Sequence, residues 1–244
     1  MIWITFAIPL LVLVIPAKEI PVGTVIPVML SSSLSAAKDK PEKQLEGRVM
    51  QEVRLPSGER IREGSRIIGH VVNVTRGSSG SSIVVKFEAI QEQGRKASLK
   101  TGLLALASMA SVHDAQLPIS ANSDLTPVSQ WVTRQVGGDV VRRGQGKVVS
   151  HDGVFGTWLQ GSSVLMKLTP NPEAGCSSGP GYGREQAVWI FSSAACGTYD
   201  LSNVKIASSG EIPPLGEIAL TSAHNVAIHG GSGWLLIVVA EQRD

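Results

Sequence analysis

The side chains with the clearest capacity for chemistry are two cysteines, Cys176 and Cys196. An even number of cysteines in an exported protein is typical of a disulfide. Closing a loop of about 20 residues would stabilise the fold by about 3 kcal/mol in the chain-entropy account. Two separate buried thiols are the alternative. A zinc site is not expected, because no pair of histidines lies near these cysteines to complete a tetrahedral set of ligands.

The histidines do not show the spacing of a catalytic or metal-binding motif. The five histidines are His70, His113, His151, His224 and His229. None pairs with another at H-x-x-x-H spacing. An aspartate directly follows His113 and His151, but a catalytic triad also needs a serine that converges with them in space. We therefore predict no catalytic residue, no metal site and no cofactor.

The remaining motifs also favour structural interpretations. Residues 179–183 read Gly-Pro-Gly-Tyr-Gly, but they do not open a helix after a strand, as a phosphate-binding loop would. Asn73-Val74-Thr75 matches a glycosylation sequon, a pattern that often occurs by chance. Four of the five tryptophans are scattered along the chain beyond the N-terminal segment, which favours packing over an aromatic binding platform. They are Trp131, Trp158, Trp189 and Trp234.

The N-terminal segment predicts the subcellular location of the protein. Residues 2–16 are apolar apart from Thr5, and the run is shorter than the roughly 20 residues of a membrane-spanning helix. Its length, followed by the small residue Ala17, is typical of a signal peptide. We predict that residues 1–17 are a cleaved export signal and that the protein is periplasmic or associated with the outer membrane. An uncleaved membrane anchor and a buried core segment are the alternatives.

Composition and strand signals indicate an all-β protein. The chain has 244 residues, of which 43% are hydrophobic, 17% are charged and 26 are glycine. Its net charge of +2 gives no sign of a nucleic-acid surface. Runs of alternating apolar residues are separated by turn residues. The predicted strands are 20–30, 48–55, 60–62, 66–74, 83–90, 96–106, 164–168, 187–191, 204–206, 217–221, 226–228 and 234–240.

Several segments carry more specific expectations. Two prolines in 20–30 predict an edge strand or a bulged one, because proline cannot donate to a ladder. The polar residues 31–46 predict a mobile loop, and Ser129–Val136 could form a short helix. The apolar run 234–240 predicts a strand buried on both faces.

These signals predict two domains. We expect a signal peptide at 1–17, a β-barrel-like or sandwich domain at 18–109, a linker at 110–147 and a second small β-rich domain with one disulfide at 148–244.

Two sequence blocks resemble a known family. The first is the P-x-G-T-x-I-P start, and the second is the turn-rich block around I-x-x-G-S-x-I-I-G. The matching residues are Pro21, Gly23, Thr24, Ile26, Pro27, Gly58, Gly64, Ser65, Ile68 and Gly69. Over residues 20–99, the chain resembles the outer-membrane-proximal β domain of TrbI-like scaffold proteins of conjugation and type IV secretion machines. Arg62 stands where that family has proline.

The resemblance implies a β-barrel-like domain that packs side by side in a ring. The family's helical hairpin is not evident after Leu99, so the resemblance does not extend to a channel. We expect a non-enzymatic cell-envelope protein that acts through protein–protein contacts, with envelope proteins or its own copies as partners through β edges. Membrane contact is expected only through an uncleaved N-terminal segment. The alternative is an exported enzyme or carbohydrate-binding domain with its site in residues 148–244.

Overall fold

A computed structural model describes residues 20–119, 132–138, 140–142, 146–150, 153–159, 163–170, 182–207 and 216–240. Within these ranges, strands far outnumber helices. The elements are β1 Val25–Leu30, β2 Leu34–Ser35, β3 Gln44–Val49, β4 Val53–Arg54, β5 Arg60–Ile61, β6 Arg66–Gly77, β7 Gly80–Glu92, β8 Arg95–Ser98, β9 Thr101–Ala107, α1 Met109–Asp114, β10 Val132–Arg134, β11 Val140–Arg142, β12 Gly146–Ser150, β13 Gly153–Leu159, β14 Ser163–Lys167, β15 Glu185–Ala187, β16 Gly197–Tyr199, β17 Lys205–Ile206, β18 Ile218–Ser222, β19 Ala227–Ile228 and β20 Gly233–Val238.

The predicted all-β fold is confirmed. Ten strands form the main sheet in the order β16-β9-β20-β1-β3-β6-β7-β18-β17, with β8 paired to β7 outside this path. Neighbouring strands are antiparallel, except for the parallel pair β16 and β9. A second sheet has the order β12-β13-β14-β15, and three further sheets have two strands each.

The main sheet rolls around a large hydrophobic core. Its two end strands, β16 and β17, contact each other, and Thr198 Oγ1 donates a hydrogen bond to Val204 O across 3.1 Å. Inside the roll, the rings of Phe87 and Trp234 meet edge to face, with centroids 5.7 Å apart. Both side chains are fully buried. Alternate side chains of these strands point to the same face, and the face inside the roll forms this core.

A second core covers the other face of β1, β9 and β20. It includes Val25, Ala105 and Leu235 from the main sheet, packed with Val112 of α1 and Met166 of β14. All six residues of β20 are buried, because alternate side chains enter the two cores. The expectation that this run is buried on both faces is confirmed.

The structure differs from the predicted division into domains at 18–109 and 148–244. β9 pairs with β20 and β16, and β7 pairs with β18, so one sheet combines strands from both sides of that division. Both hydrophobic cores also contain residues from both sides. Turn residues reveal where strands end, but they do not reveal which strands pair.

The edge-strand expectation for residues 20–30 is wrong. β1 lies between β20 and β3. Pro27 O accepts a hydrogen bond from Met50 N at 2.9 Å, so the carbonyl and nitrogen of Pro27 both face the β3 side of the strand. On that side, the regular pairing between β1 and β3 starts only at Val28. The missing proline N–H therefore costs no bond with β20, which explains how proline is tolerated in an internal strand.

Two local expectations are also corrected. Residues 31–46 contain β2 and the start of β3, and Asp39 anchors their turn because its Oδ2 accepts from Ser35 N at 2.7 Å. Val132–Arg134, which falls within the expected helix 129–136, forms β10 instead, while residues 129–131 lie outside the described residues. The helix found among the described residues is α1, where the Ser108 side chain accepts a hydrogen bond from Ser111 N and caps the first turn.

Candidate functional site

The first block of resemblance residues has a structural role. Gly23 adopts a φ of 82°, and its N–H donates to Val238 O at 2.8 Å. Thr24 Oγ1 donates to Pro21 O at 2.6 Å, which closes the turn before β1. Ile26 is fully buried in the first core. Together with Pro27, these residues seat β1 against β20.

Three residues of the second block shape strands and turns. Gly58 lies in the exposed β4–β5 turn with a φ of 84°. Ile68 and Gly69 flank a bulge in the β6–β7 pairing. A Cβ atom on Gly69 would collide with the carbonyl oxygen of Lys86, so this position requires glycine.

Gly64 and Ser65 lie in a groove, which is the candidate site. The groove separates the β5–β6 turn (residues 62–66) from the β7–β8 turn (residues 91–94) and has a volume of about 340 Å³. Gly64 has a φ of 82° and donates its N–H to Val49 O at 2.8 Å. The groove is therefore built by two turns at the same end of the β6–β7 pair.

Arginine–glutamate pairs line and flank this groove. Arg66 binds Glu46 through two hydrogen bonds, Nε to Oε1 and Nη2 to Oε2, both 2.7 Å long. The hydrogen bond from Arg66 holds the pKa of Glu46 below its ordinary value. On the other side of the turn, Arg62 Nε lies 3.4 Å from Glu92 Oε1. The four side chains are partly exposed, so the groove presents charges of both signs to solvent.

Ser65 adds an unusual polar group to the groove. It is 6% exposed, and its Oγ is buried without a hydrogen-bond partner in the part of the chain that the structure describes. A buried hydroxyl without a partner is energetically costly. The Oγ of Ser65 has no contact with solvent, so a group that enters the groove does not meet this hydroxyl directly.

Beside the groove, β8 forms the outer side of a tight hairpin. Gln93 and Gly94 make the two-residue turn, with φ values of 49° and 79°. Two positive φ values define a type I′ turn, which matches the twist of antiparallel strands. Among the described residues, β8 pairs with β7 alone, so its second edge is open within those ranges.

The other candidate residues do not converge. His70 Nδ1 lies 3.2 Å from Glu88 Oε1 on the face of β6 and β7, and His113 lies in the last turn of α1. The pair His151-Asp152 lies outside the described residues. Across the ranges that are described, no group of three or more His, Cys, Asp and Glu side chains could hold a metal ion. No helix in those ranges has the length and apolar character needed to cross a bilayer.

The cysteine and tryptophan predictions have separate outcomes. Cys196 is buried and is not a free thiol. Cys176 lies outside the described residues, so the pairing of the two stays a prediction. Trp158 and Trp189 are partly buried against the second core, and Trp131 lies outside the described residues. The described tryptophans therefore take part in packing.

Sequence reasoning missed the backbone conformation of Trp189. Its φ is 49°, which is unusual for a bulky residue. Gln51 Oε1 accepts from Trp189 N at 2.7 Å, and Gln135 Nε2 donates to Trp189 O at 3.1 Å. Two glutamine side chains thus hold this turn. No local signal marks them, because both lie far from Trp189 in sequence.

The open edge of β8 was also missed. The sequence shows the Gln93-Gly94 turn and the strand around it, but which strand edge stays open depends on pairings between distant segments.

Comparison of the chain with protein-family models, curated proteins and solved structures gave no match.

Proposed function

We propose that this chain is a non-enzymatic protein of the bacterial cell envelope that acts through protein–protein contacts. The observation that carries the proposal is the open edge of β8 beside the polar groove. An open strand edge can pair with a strand of another protein, a common mode of peptide recognition. β1 does not offer such an edge, since it is paired with β20 on one side and with β3 on the other.

A rigid support favours this surface for recognition. The type I′ turn joins β7 to β8, and β7 is itself paired with β6 along most of its length. Binding groups on turns that a sheet holds in place lose little conformational entropy when a partner binds. The groove beside the turn can receive side chains of the partner, and the two arginines, which are partly exposed, can donate to them.

The proposed location in the cell envelope and the proposed relation to secretion or conjugation scaffolds rest on the sequence. The apolar segment 1–17 supports export, and the motif residues from Pro21 to Gly69 support the relation. Fusing residues 1–20 to a reporter enzyme that is active only outside the cytoplasm tests the location. Reporter activity is expected, and an inactive fusion would contradict export. Secretion or conjugation genes beside the gene for this chain would support the relation.

Site-specific photo-cross-linking in the native cell tests the contact surface. A cross-linking amino acid replaces Gln93 at the edge of the groove, and the matched control replaces Lys40. Both residues are exposed, but Lys40 lies near Arg76 at the opposite end of β6. A discrete adduct with another envelope protein, or with a second copy of the chain, is expected from position 93 alone. Equal labelling from both positions, or none from either, would contradict the proposal.

A further inference from the structure

We infer that the partner segment is an extended, acidic stretch of another protein that adds to β8 as a further strand. This inference rests on the proposed function and names the chemistry of the partner. It depends on the edge of β8 and on its two cations, Arg95 and Lys96, for which the described residues provide no strand partner and no ion-pair partner.

The hairpin geometry identifies the backbone groups that face outward. In a two-residue hairpin, the residues that flank the turn, Glu92 and Arg95, exchange hydrogen bonds, and every second pair does the same. The bond from Leu99 N to Glu88 O at 2.8 Å follows this alternation. The intervening residues, Lys96 and Ser98, therefore point their N–H and C=O groups away from β7. They present two donors and two acceptors, enough for a short added strand.

The charges on β8 select an acidic strand. Arg95 and Lys96 are exposed. Within the described ranges, neither takes part in an ion pair, whereas Arg62 and Arg66 nearby are each paired with a glutamate. Side chains directly opposite on neighbouring strands lie about 5 Å apart, which favours opposite charges. A basic strand would meet like charges and be rejected.

Synthetic peptides test the inference on the full chain. The probe is a labelled, end-blocked octapeptide that alternates Glu and Thr, and the matched control alternates Lys and Thr. We expect saturable binding of the Glu peptide, weakened by salt, and no binding of the Lys peptide. Perturbed amide resonances should include Lys96 and Ser98. Equal binding of both peptides, or no binding of the Glu peptide at millimolar concentration, would overturn the inference.

Two variants separate the backbone and charge contributions. Ser98→Pro removes one outward N–H without removing a bond to β7, and proline is tolerated at strand edges. Arg95→Glu with Lys96→Glu reverses the charge. Each should weaken Glu-peptide binding by roughly tenfold or more, with circular dichroism and melting temperature unchanged. If Ser98→Pro unfolds the protein, a Glu peptide with N-methylated alternate residues takes its place. Undiminished binding with either change would overturn the inference.

Hydrogen exchange in the free protein provides a further check. The amides of Lys96 and Ser98 should exchange rapidly and become protected when the Glu peptide binds. Strong protection before binding would show that another segment of the same chain already occupies the edge, which would overturn the inference. Cross-linking from position 93 without Glu-peptide binding would leave the contact function standing and reject only the acidic strand. Failure of both experiments would reject both.

Discussion

At the scale of single residues, Gly69 shows how closely β6 approaches β7. The added methyl of Gly69→Ala would collide with the backbone carbonyl of Lys86, which cannot move without separating the two strands. We expect Gly69→Ala to lower the free energy of unfolding by at least about 2 kcal/mol. Urea denaturation measures this change.

Gly77→Ala is the matched control for that substitution. Gly77 lies in the same strand, but an added Cβ would have no neighbour closer than 3.9 Å. Its backbone φ is not positive, so alanine fits without strain. An equal loss in both variants would indicate a general intolerance of β6 to alanine and would contradict the close-approach argument.

The Arg66–Glu46 pair predicts a measurable titration shift. The Arg66 hydrogen bond lowers the pKa of Glu46 below 4.5, and the charges of Arg66 and Arg48 add to this effect. Because the folded-state pKa is the lower one, the pair stabilises the fold above the unfolded-state pKa, and this stabilisation is lost as pH falls through the folded-state pKa. In NMR titrations, Arg66→Gln should raise the pKa of Glu46. Arg48→Gln should raise it less, and the reverse order would contradict the assignment.

At the scale of elements, Arg76 fastens the loop between β2 and β3 to the end of β6. Its guanidinium donates to Asp39 O at 2.6 Å and also to Ala36 O. Lys43 Nζ adds bonds to Asp39 Oδ1 at 2.8 Å and to Ser33 O at 2.7 Å. These contacts explain why a segment with a loop-like composition is ordered.

Arg76→Ala should release this loop. We expect a loss of about 1–2 kcal/mol in the free energy of unfolding, because two carbonyl groups lose a charged donor. Proteolysis between residues 36 and 43 should become faster. Arg54→Ala is the control, since the Arg54 side chain is 60% exposed and its ion pair with Glu52 lies at the surface, so a change within about 0.5 kcal/mol is expected. Unchanged proteolysis in Arg76→Ala would contradict the role of Arg76.

The elements also show what local sequence can predict. The sequence predicts β6 and β7 because Ile67, Val71, Ile83, Val85 and Phe87 recur at even spacing in runs that turn residues separate, and all five point into one core. The internal position of β1 could not be predicted, because its prolines were compatible with an edge and its partner β20 lies at the far end of the chain. The groove could be predicted only in part. Its Gly64-Ser65 turn was marked, but the facing Glu92 becomes its neighbour only after β6 pairs with β7.

At the scale of the whole molecule, buried glutamines connect the main sheet with a second layer, which consists of the sheet β12-β13-β14-β15 and the turn at Trp189. Gln51 is 2% exposed. Its Oε1 accepts from Trp189 N, and its Nε2 donates to Val164 O. Gln186 Oε1 similarly accepts from Val25 N at 3.2 Å, where β1 extends beyond its ladder with β3. Side-chain amides thus satisfy backbone groups that no strand reaches.

Gln51→Met should weaken the junction between the layers. It leaves Trp189 N and Val164 O without their amide partner, which should cost about 2 kcal/mol or more in the free energy of unfolding. Gln44→Met, at an exposed position of β3, should change it by less than about 0.5 kcal/mol. Thermal and urea denaturation measure both variants. An effect of similar size at the two positions would contradict the bridging role.

The predicted disulfide also acts at this scale. Non-reducing electrophoresis of the mature protein should show a mobility shift when reductant is added. Cys176→Ser and Cys196→Ser should each abolish this shift and lower stability by about 3 kcal/mol. Two thiols that titrate in the unfolded, unreduced protein would contradict the disulfide.

The position of β20 constrains when the protein can fold. β20 lies between β1 and β9 and contributes to both cores, yet it leaves the ribosome after every other described strand. Until then, β1 and β9 have unpaired edges that can join other chains and aggregate. Contacts between segments so distant in sequence also slow folding. The main sheet therefore cannot be completed before β20 has been synthesised, and the yield of folded protein in a cell depends on protection of the unfinished sheet.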